Sequence, residues 1–117
     1  MTLSISKKLI TLSVLGAAAA VFSGVSYAAV DADAAKALAK KSDCLKCHAI
    51  DKDKKASSFQ KIAANWKGKA DAEAKLMDSL TKAPKVKQKD GTEVDHKVID
   101  TKDPAEIKNV IGWILSL

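Results

Sequence analysis

Cys44-Leu45-Lys46-Cys47-His48 constrains this chain more than any other stretch. Two thiols three positions apart can each add to one vinyl group of a single porphyrin, and a histidine directly after the second thioether then lies under the iron as a proximal ligand. Both cysteines of the chain and one of its two histidines fall inside these five residues. No thiol is left over for another scheme.

Three other readings fit a bare C-x-x-C: a thioredoxin-like redox pair, a structural disulfide, or part of a zinc site. The redox pair calls for a βαβ context in a cytosolic protein, and no such pattern is visible. Zinc could draw on Cys44, Cys47, His48 and His96. Adjacent Cys47 and His48 would be awkward partners in one tetrahedron, and an exported chain tends to oxidise unmetallated thiols. Covalent haem is the favoured reading.

Export is written into the N-terminus. Lys7 and Lys8 form a short cationic segment, Leu9 to Phe22 is an uncharged apolar run, and Ser26-Tyr27-Ala28 offers small residues where a signal peptidase cuts. The run is alanine-rich, interrupted by Gly16 and followed by Gly24, and short of the roughly 20 strongly apolar residues of a membrane span. Residues 1–28 are therefore expected to be a cleaved signal peptide, with no lipid-anchoring cysteine at the cut. Residues 29–117 would be one periplasmic domain without stable membrane insertion.

A domain this small has little core of its own. A large flat ligand tied by two thioethers would supply much of what the side chains pack against, so the haem-free polypeptide is expected to be largely unfolded. Residues 29–117 carry eighteen lysines and no arginine against fourteen acids. The lysines are interleaved with Asp and Glu rather than massed, which does not suggest nucleic-acid binding. Diffuse, hydrated lysine charge suits brief docking to an acidic protein partner, and equally a solvated surface.

The periodicity predicts four short helices. Asp31 or Asp33 caps the first, which runs to about Lys41 with Ala34, Ala35, Leu38 and Ala39 as its apolar and small positions. A charged loop, Asp51 to Lys55, follows the cysteine motif. Phe59, Ile62, Ala63 and Trp66 mark one face of a second helix stopping near Gly68, and Leu76, Met77, Leu80 and Ala83 a stripe on a third, ended by Pro84. Asp103 caps the fourth, with Pro104 in its first turn and Ile107, Val110, Ile111, Ile114 and Leu115 buried.

Nearly twenty residues between Pro84 and Asp103 lack a helical period, and so long a connection in so small a domain is usually functional. Asp90-Gly91 inside it signals a hairpin turn. Beyond the turn Val94, His96 and Val98 alternate with charged residues, which places His96 inward with two valines if that arm is extended.

These residues together resemble the small class I bacterial monohaem cytochromes c, of the c-551/c-552 kind. The resemblance runs over nearly all of residues 29–117. Besides the haem motif it rests on Ser58-Phe59-Gln60-Lys61-Ile62-Ala63, on Trp66-Lys67-Gly68-Lys69-Ala70 and on the ending Gly112-Trp113-Ile114-Leu115-Ser116-Leu117. It implies an all-α fold of four short helices around one covalently bound haem c, with a long ligand loop that can hold a short β-hairpin. The helix carrying Leu38 should cross the one carrying Trp113 with haem held beneath the crossing, Trp66 and Trp113 lying against the haem or the crossing and Phe59 among the haem-binding residues. Trp66 could donate its indole N–H to a haem propionate.

Two departures from the family pattern stand out. A Gly-Pro pair, whose proline carbonyl accepts the proximal histidine's Nδ1–H, is here Ala56-Ser57. A serine carbonyl can do the same without the fixed proline backbone. The distal ligand is usually a methionine followed by proline, 17 positions before the C-terminal tryptophan, and that position is His96, followed by Lys97. His96 is therefore the expected distal ligand, with Met77 as its rival.

Two strong iron ligands leave no open site for substrate. The expectation is a non-enzymatic periplasmic electron carrier, monomeric, of low potential, cycling Fe(III)/Fe(II) between larger redox proteins. A small peroxidase or a haem-based gas sensor is the alternative, and each needs a labile distal position.

Overall fold

The computed structural model describes residue 16 and residues 29–117. The expected signal peptide, residues 1–28, lies outside the described stretch apart from Gly16. Among the described residues no helix is long and apolar enough to cross a membrane.

Four helices and a two-stranded sheet follow in the order α1 (Ala32–Lys41), α2 (Phe59–Trp66), α3 (Ala72–Thr81), β1 (Lys85–Lys87), β2 (Glu93–Asp95) and α4 (Pro104–Leu115). A single 3₁₀ turn, Cys44–Lys46, carries the cysteine motif between α1 and α2. The expected class I cytochrome c architecture is present, helical with a small antiparallel hairpin.

Three of the helix starts are fixed by side chains that accept an otherwise unpaired N–H of the first turn. Asp31 accepts from the Ala34 N–H, Ser58 from the Lys61 N–H and Asp103 from the Ala105 N–H. α3 differs, because Asp71 makes no such bond.

α1 packs most extensively against α4, as the resemblance implies. On α1 the buried positions are Ala35 and Ala39, whose small side chains let the helices come close. Leu38 is half-buried and Ala34 exposed. On α4 Ile107, Val110, Ile111, Trp113 and Ile114 are buried, while Leu115, expected in that stripe, is only half-buried. Asn109 of α4 clamps the start of α1 at two points, accepting the Asp31 N–H at 2.9 Å and donating to the Asp31 carbonyl at 2.8 Å.

α3 stops short of its expected end. It ends at Thr81, and Ala83 takes a left-handed backbone, φ 48°, instead of joining the apolar stripe. The proline that follows disfavours a right-handed helical conformation at residue 83.

The hairpin pairs Lys85 with Asp95, Val86 with Val94 and Lys87 with Glu93. Its turn has Gly91 at φ 89°, a conformation that costs glycine little. The Asp90 carboxylate accepts the Thr92 N–H at 2.8 Å. The alternation expected through Val98 breaks down, because β2 ends at Asp95 and Val98 is 48% exposed. Ile99 turns inward in its place, 3% exposed, its N–H bonded to the Leu80 carbonyl.

Candidate functional site

The cysteine motif sits on a tight turn opened by Asp43, in the left-handed region at φ 61°, and closed by N–H groups of Cys47 and His48 that both reach the Cys44 carbonyl. Cys44 and Cys47 are half-buried and unbridged. Burial pushes the Cys44 thiol above its ordinary range.

His48 leaves this turn into a closely bonded surround. Its Nδ1–H donates to the Ser57 carbonyl at 2.6 Å. The substitution of Ala56-Ser57 for Gly-Pro thus keeps the acceptor. Phe59 stacks on the imidazole, ring centres 5.1 Å apart and 20° from parallel, and meets Trp113 edge-on at 5.4 Å. Burial, opposed by the Ser57 bond, holds His48 below the ordinary histidine range, so the ring is neutral at pH 7. With Nδ1–H engaged, its free lone pair is on Nε2.

His96 approaches from the other side, just past β2. Its N–H bonds the Pro84 carbonyl at 2.9 Å, which carries the hairpin ladder one step beyond the Lys85–Asp95 pair. The bond from Ile99 to Leu80 holds the chain three residues later. The imidazole centres of His48 and His96 lie 6.3 Å apart, tilted by 51°. His96 Nδ1 is buried and has no hydrogen-bond partner.

Both rings line two adjoining cavities, of about 220 and 500 Å³. Cys44, His48, Ile62, Val86 and His96 line both. The smaller is walled by Phe59, Trp66, Leu76, Leu80 and Ile114, and the larger reaches Cys47, Ser57 and the lysines of the hairpin. A cleft of this size, apolar with a few convergent polar atoms, suits a large flat ligand. Ile62 and Trp66 are half-buried for this reason: their helix turns them to the cleft. Lys69 Nζ stands 5.1 Å from the Trp66 ring centre.

Trp113 belongs to the core behind Phe59 and does not line the cleft. Met77 does not line it either; half-buried, it packs against the core one position round the helix from Leu76. The zinc reading has no geometry behind it, since among the described residues no three His, Cys, Asp or Glu side chains converge as metal ligands.

The residues fit a haem. His48 and His96, their ring centres 6.3 Å apart, are the residues that could hold its iron. The two thiols line the same cleft.

One residue at the site escapes a reading of the sequence. Asp53, inside what looks like a solvated charged loop, accepts the Ser58 N–H at 2.9 Å and pairs with Lys61 and Lys89, each at 2.5 Å. These lysines hold its carboxyl well below the usual carboxylate range. No sequence signal marks it, because its partners lie 5, 8 and 36 positions away.

The family model for cytochrome c matches residues 32–117. Class 1 cytochrome MtoD from Sideroxydans lithotrophicus ES-1 has a similar crystal structure, with 52% sequence identity and a TM-score of 0.72 over 75% of this chain and 97% of that one. Wild-type cytochrome c552 of Nitrosomonas europaea is similar at 25% identity and a TM-score of 0.54, over 69% of this chain and 96% of that one. No curated protein matches the sequence. With its C-x-x-C-H turn lining the cleft, the chain belongs to the cytochrome c family, with haem c bound covalently through Cys44 and Cys47.

Proposed function

We propose that this protein is a periplasmic one-electron carrier of low potential, with His48 and His96 as the two residues that would hold the haem iron. The observation that carries the reading is the pair of imidazoles lining one cleft with their ring centres 6.3 Å apart. Bound haem supplies the Fe(III)/Fe(II) couple; the rest is the work of the chain.

His48 offers Nε2 while the Ser57 carbonyl holds Nδ1–H and fixes the tautomer. His96 comes from the hairpin end, located by its own N–H on the Pro84 carbonyl. Two imidazoles favour the ferric state, whereas a thioether raises the potential, so a midpoint below that of His/Met relatives follows. Phe59, Ile62, Trp66, Leu76 and Leu80 exclude water from one side of the cleft. Trp66, half-buried beside Lys69, would give its indole N–H to a haem propionate. Met77, away from the cleft wall, serves as core filler.

With both axial positions held by the chain, no site remains for a substrate, which favours a carrier over a peroxidase or gas sensor. The partners are then redox proteins met briefly, and the carrier acts as a monomer. Carbon monoxide added to the reduced protein at neutral pH tests the reading. A carrier binds it slowly or not at all. Prompt, stoichiometric binding would point to a labile distal position and a gas-binding role.

A further inference from the structure

The hydrogen bond on His48 does not end at Ser57. The Ser57 carbonyl and the Ser58 N–H are two ends of one peptide group. Its oxygen accepts from His48 Nδ1 at 2.6 Å, and its N–H donates to the Asp53 carboxylate at 2.9 Å. A peptide that gives its N–H to an anion becomes a better acceptor at its oxygen, since hydrogen bonds in a chain strengthen one another by roughly 10–30%. The geometry points to Asp53 as a positioning residue for the proximal ligand. Its carboxylate holds and polarises the Ser57–Ser58 peptide, and through it sets how strongly His48 donates to the iron.

Three further contacts support this role. His48 and Asp53 oppose each other as an isolated antiparallel bridge, so the loop folds back and lays the backbone of Asp53 beside that of His48. Lys61 of α2 and Lys89 of the hairpin turn converge on the same carboxylate oxygen, Oδ2, leaving Oδ1 to the Ser58 N–H. Lys89 also donates its backbone N–H to the Lys55 carbonyl, which ties the hairpin turn to the proximal loop. Here a carboxylate does the orienting that a rigid proline does in relatives. It also adds a charge that two lysines moderate.

The inference rests on His48 being an iron ligand, and its test separates the two claims. The measurements are the ring-proton resonances of His48 in the ferric holoprotein, by paramagnetic proton NMR, and the midpoint potential. Asp53→Asn removes the charge; Asp43→Asn is the control. Asp43 lines the cleft and, like Asp53, pairs with two lysines, Lys46 and Lys97, but makes no bond to the proximal peptide. Asp53→Asn should displace the His48 resonances and raise the potential, and Asp43→Asn should leave those resonances in place. Lys89→Met, which spares the Asp53–Ser58 bond, should move them the opposite way, and decides the matter if Asp53→Asn does not fold. Resonances that stay hyperfine-shifted but unmoved in Asp53→Asn, or moved equally in Asp43→Asn, overturn the role of Asp53 alone. Wild-type His48 resonances without a hyperfine shift would overturn the ligand assignment itself.

Discussion

The two sides of the cleft are built differently. On the His48 side, side chain and backbone are both tied: Nδ1 to Ser57, the ring to Phe59, the following loop to Asp53 and to backbone bonds joining Ala49 and Ile50 to the start of α2. On the His96 side the ring itself is not tied: the backbone is held and exposed Lys97 reaches Asp43, but among the described residues His96 Nδ1 has no partner, and Val98 is exposed. A metal ligand whose second nitrogen is hydrogen-bonded is oriented and more basic; one without that bond relies on the chain that carries it. His48 is thus prepared locally, by residues within twelve positions of it, whereas His96 depends on a hairpin registered correctly some fifty residues away.

The largest effect should come from cutting the link both sides share. In Cys44→Ala, Cys47→Ala the haem is lost, and the apolar walls face an open cavity in a domain too small to compensate. Circular dichroism should show loss of most helicity and of cooperative melting. If a haem-free form keeps both, the cleft is not what organises the fold.

Truncating one apolar side chain on each side sharpens the contrast. Phe59 is 3% exposed, between His48 and Trp113, so Phe59→Ala should cost about 3–5 kcal/mol. Val94 on β2 is only half-buried, and Val94→Ala should cost about 1 kcal/mol. Denaturant titration of the two holoproteins measures both. Equal losses would remove the asymmetry.

Acid should have a smaller, graded effect, felt on the proximal side through Asp53. Lys61, then Lys89 and the Ser58 N–H, hold its carboxyl below the ordinary value of 3.8. A depressed folded pKa gives stabilisation that is complete above that ordinary value and is lost as pH falls from there toward the folded one. Asp53→Asn should therefore lose less stability than the parent between about pH 5 and pH 2.5. Parallel pH profiles would show that the carboxylate contributes nothing to folding.

Much of this arrangement is legible in the sequence where the signal is local. The C-x-x-C-H spacing, the caps at Asp31 and Asp103 and the stripe on α4 each depend on residues within a few positions of one another. Asp90-Gly91 marked the hairpin turn for the same reason. What could not be read rests on long-range partners or on competition between neighbours. Asp53 looked like one more charge in a solvated loop until its partners in α2 and the hairpin came together. The Asn109 clamp spans 78 positions. Val98 fits an alternating pattern perfectly well, yet the strand yields at Asp95 because Ile99, the larger apolar side chain, takes the buried position beside Leu80. Register against relatives points to His96, and alternation with Val94 to the place it takes in the cavity lining. Its missing Nδ1 partner could only be seen in three dimensions.

The central claim is that His48 and His96 hold the same iron, and electron paramagnetic resonance of the ferric holoprotein tests it most directly when wild type and His96→Ala are compared. The account predicts a low-spin spectrum with two imidazole ligands in the wild type, converting to high-spin in His96→Ala and returning to low-spin when free imidazole is added. An unchanged low-spin spectrum in His96→Ala, or a red-edge thioether band that disappears in Met77→Leu, would contradict it.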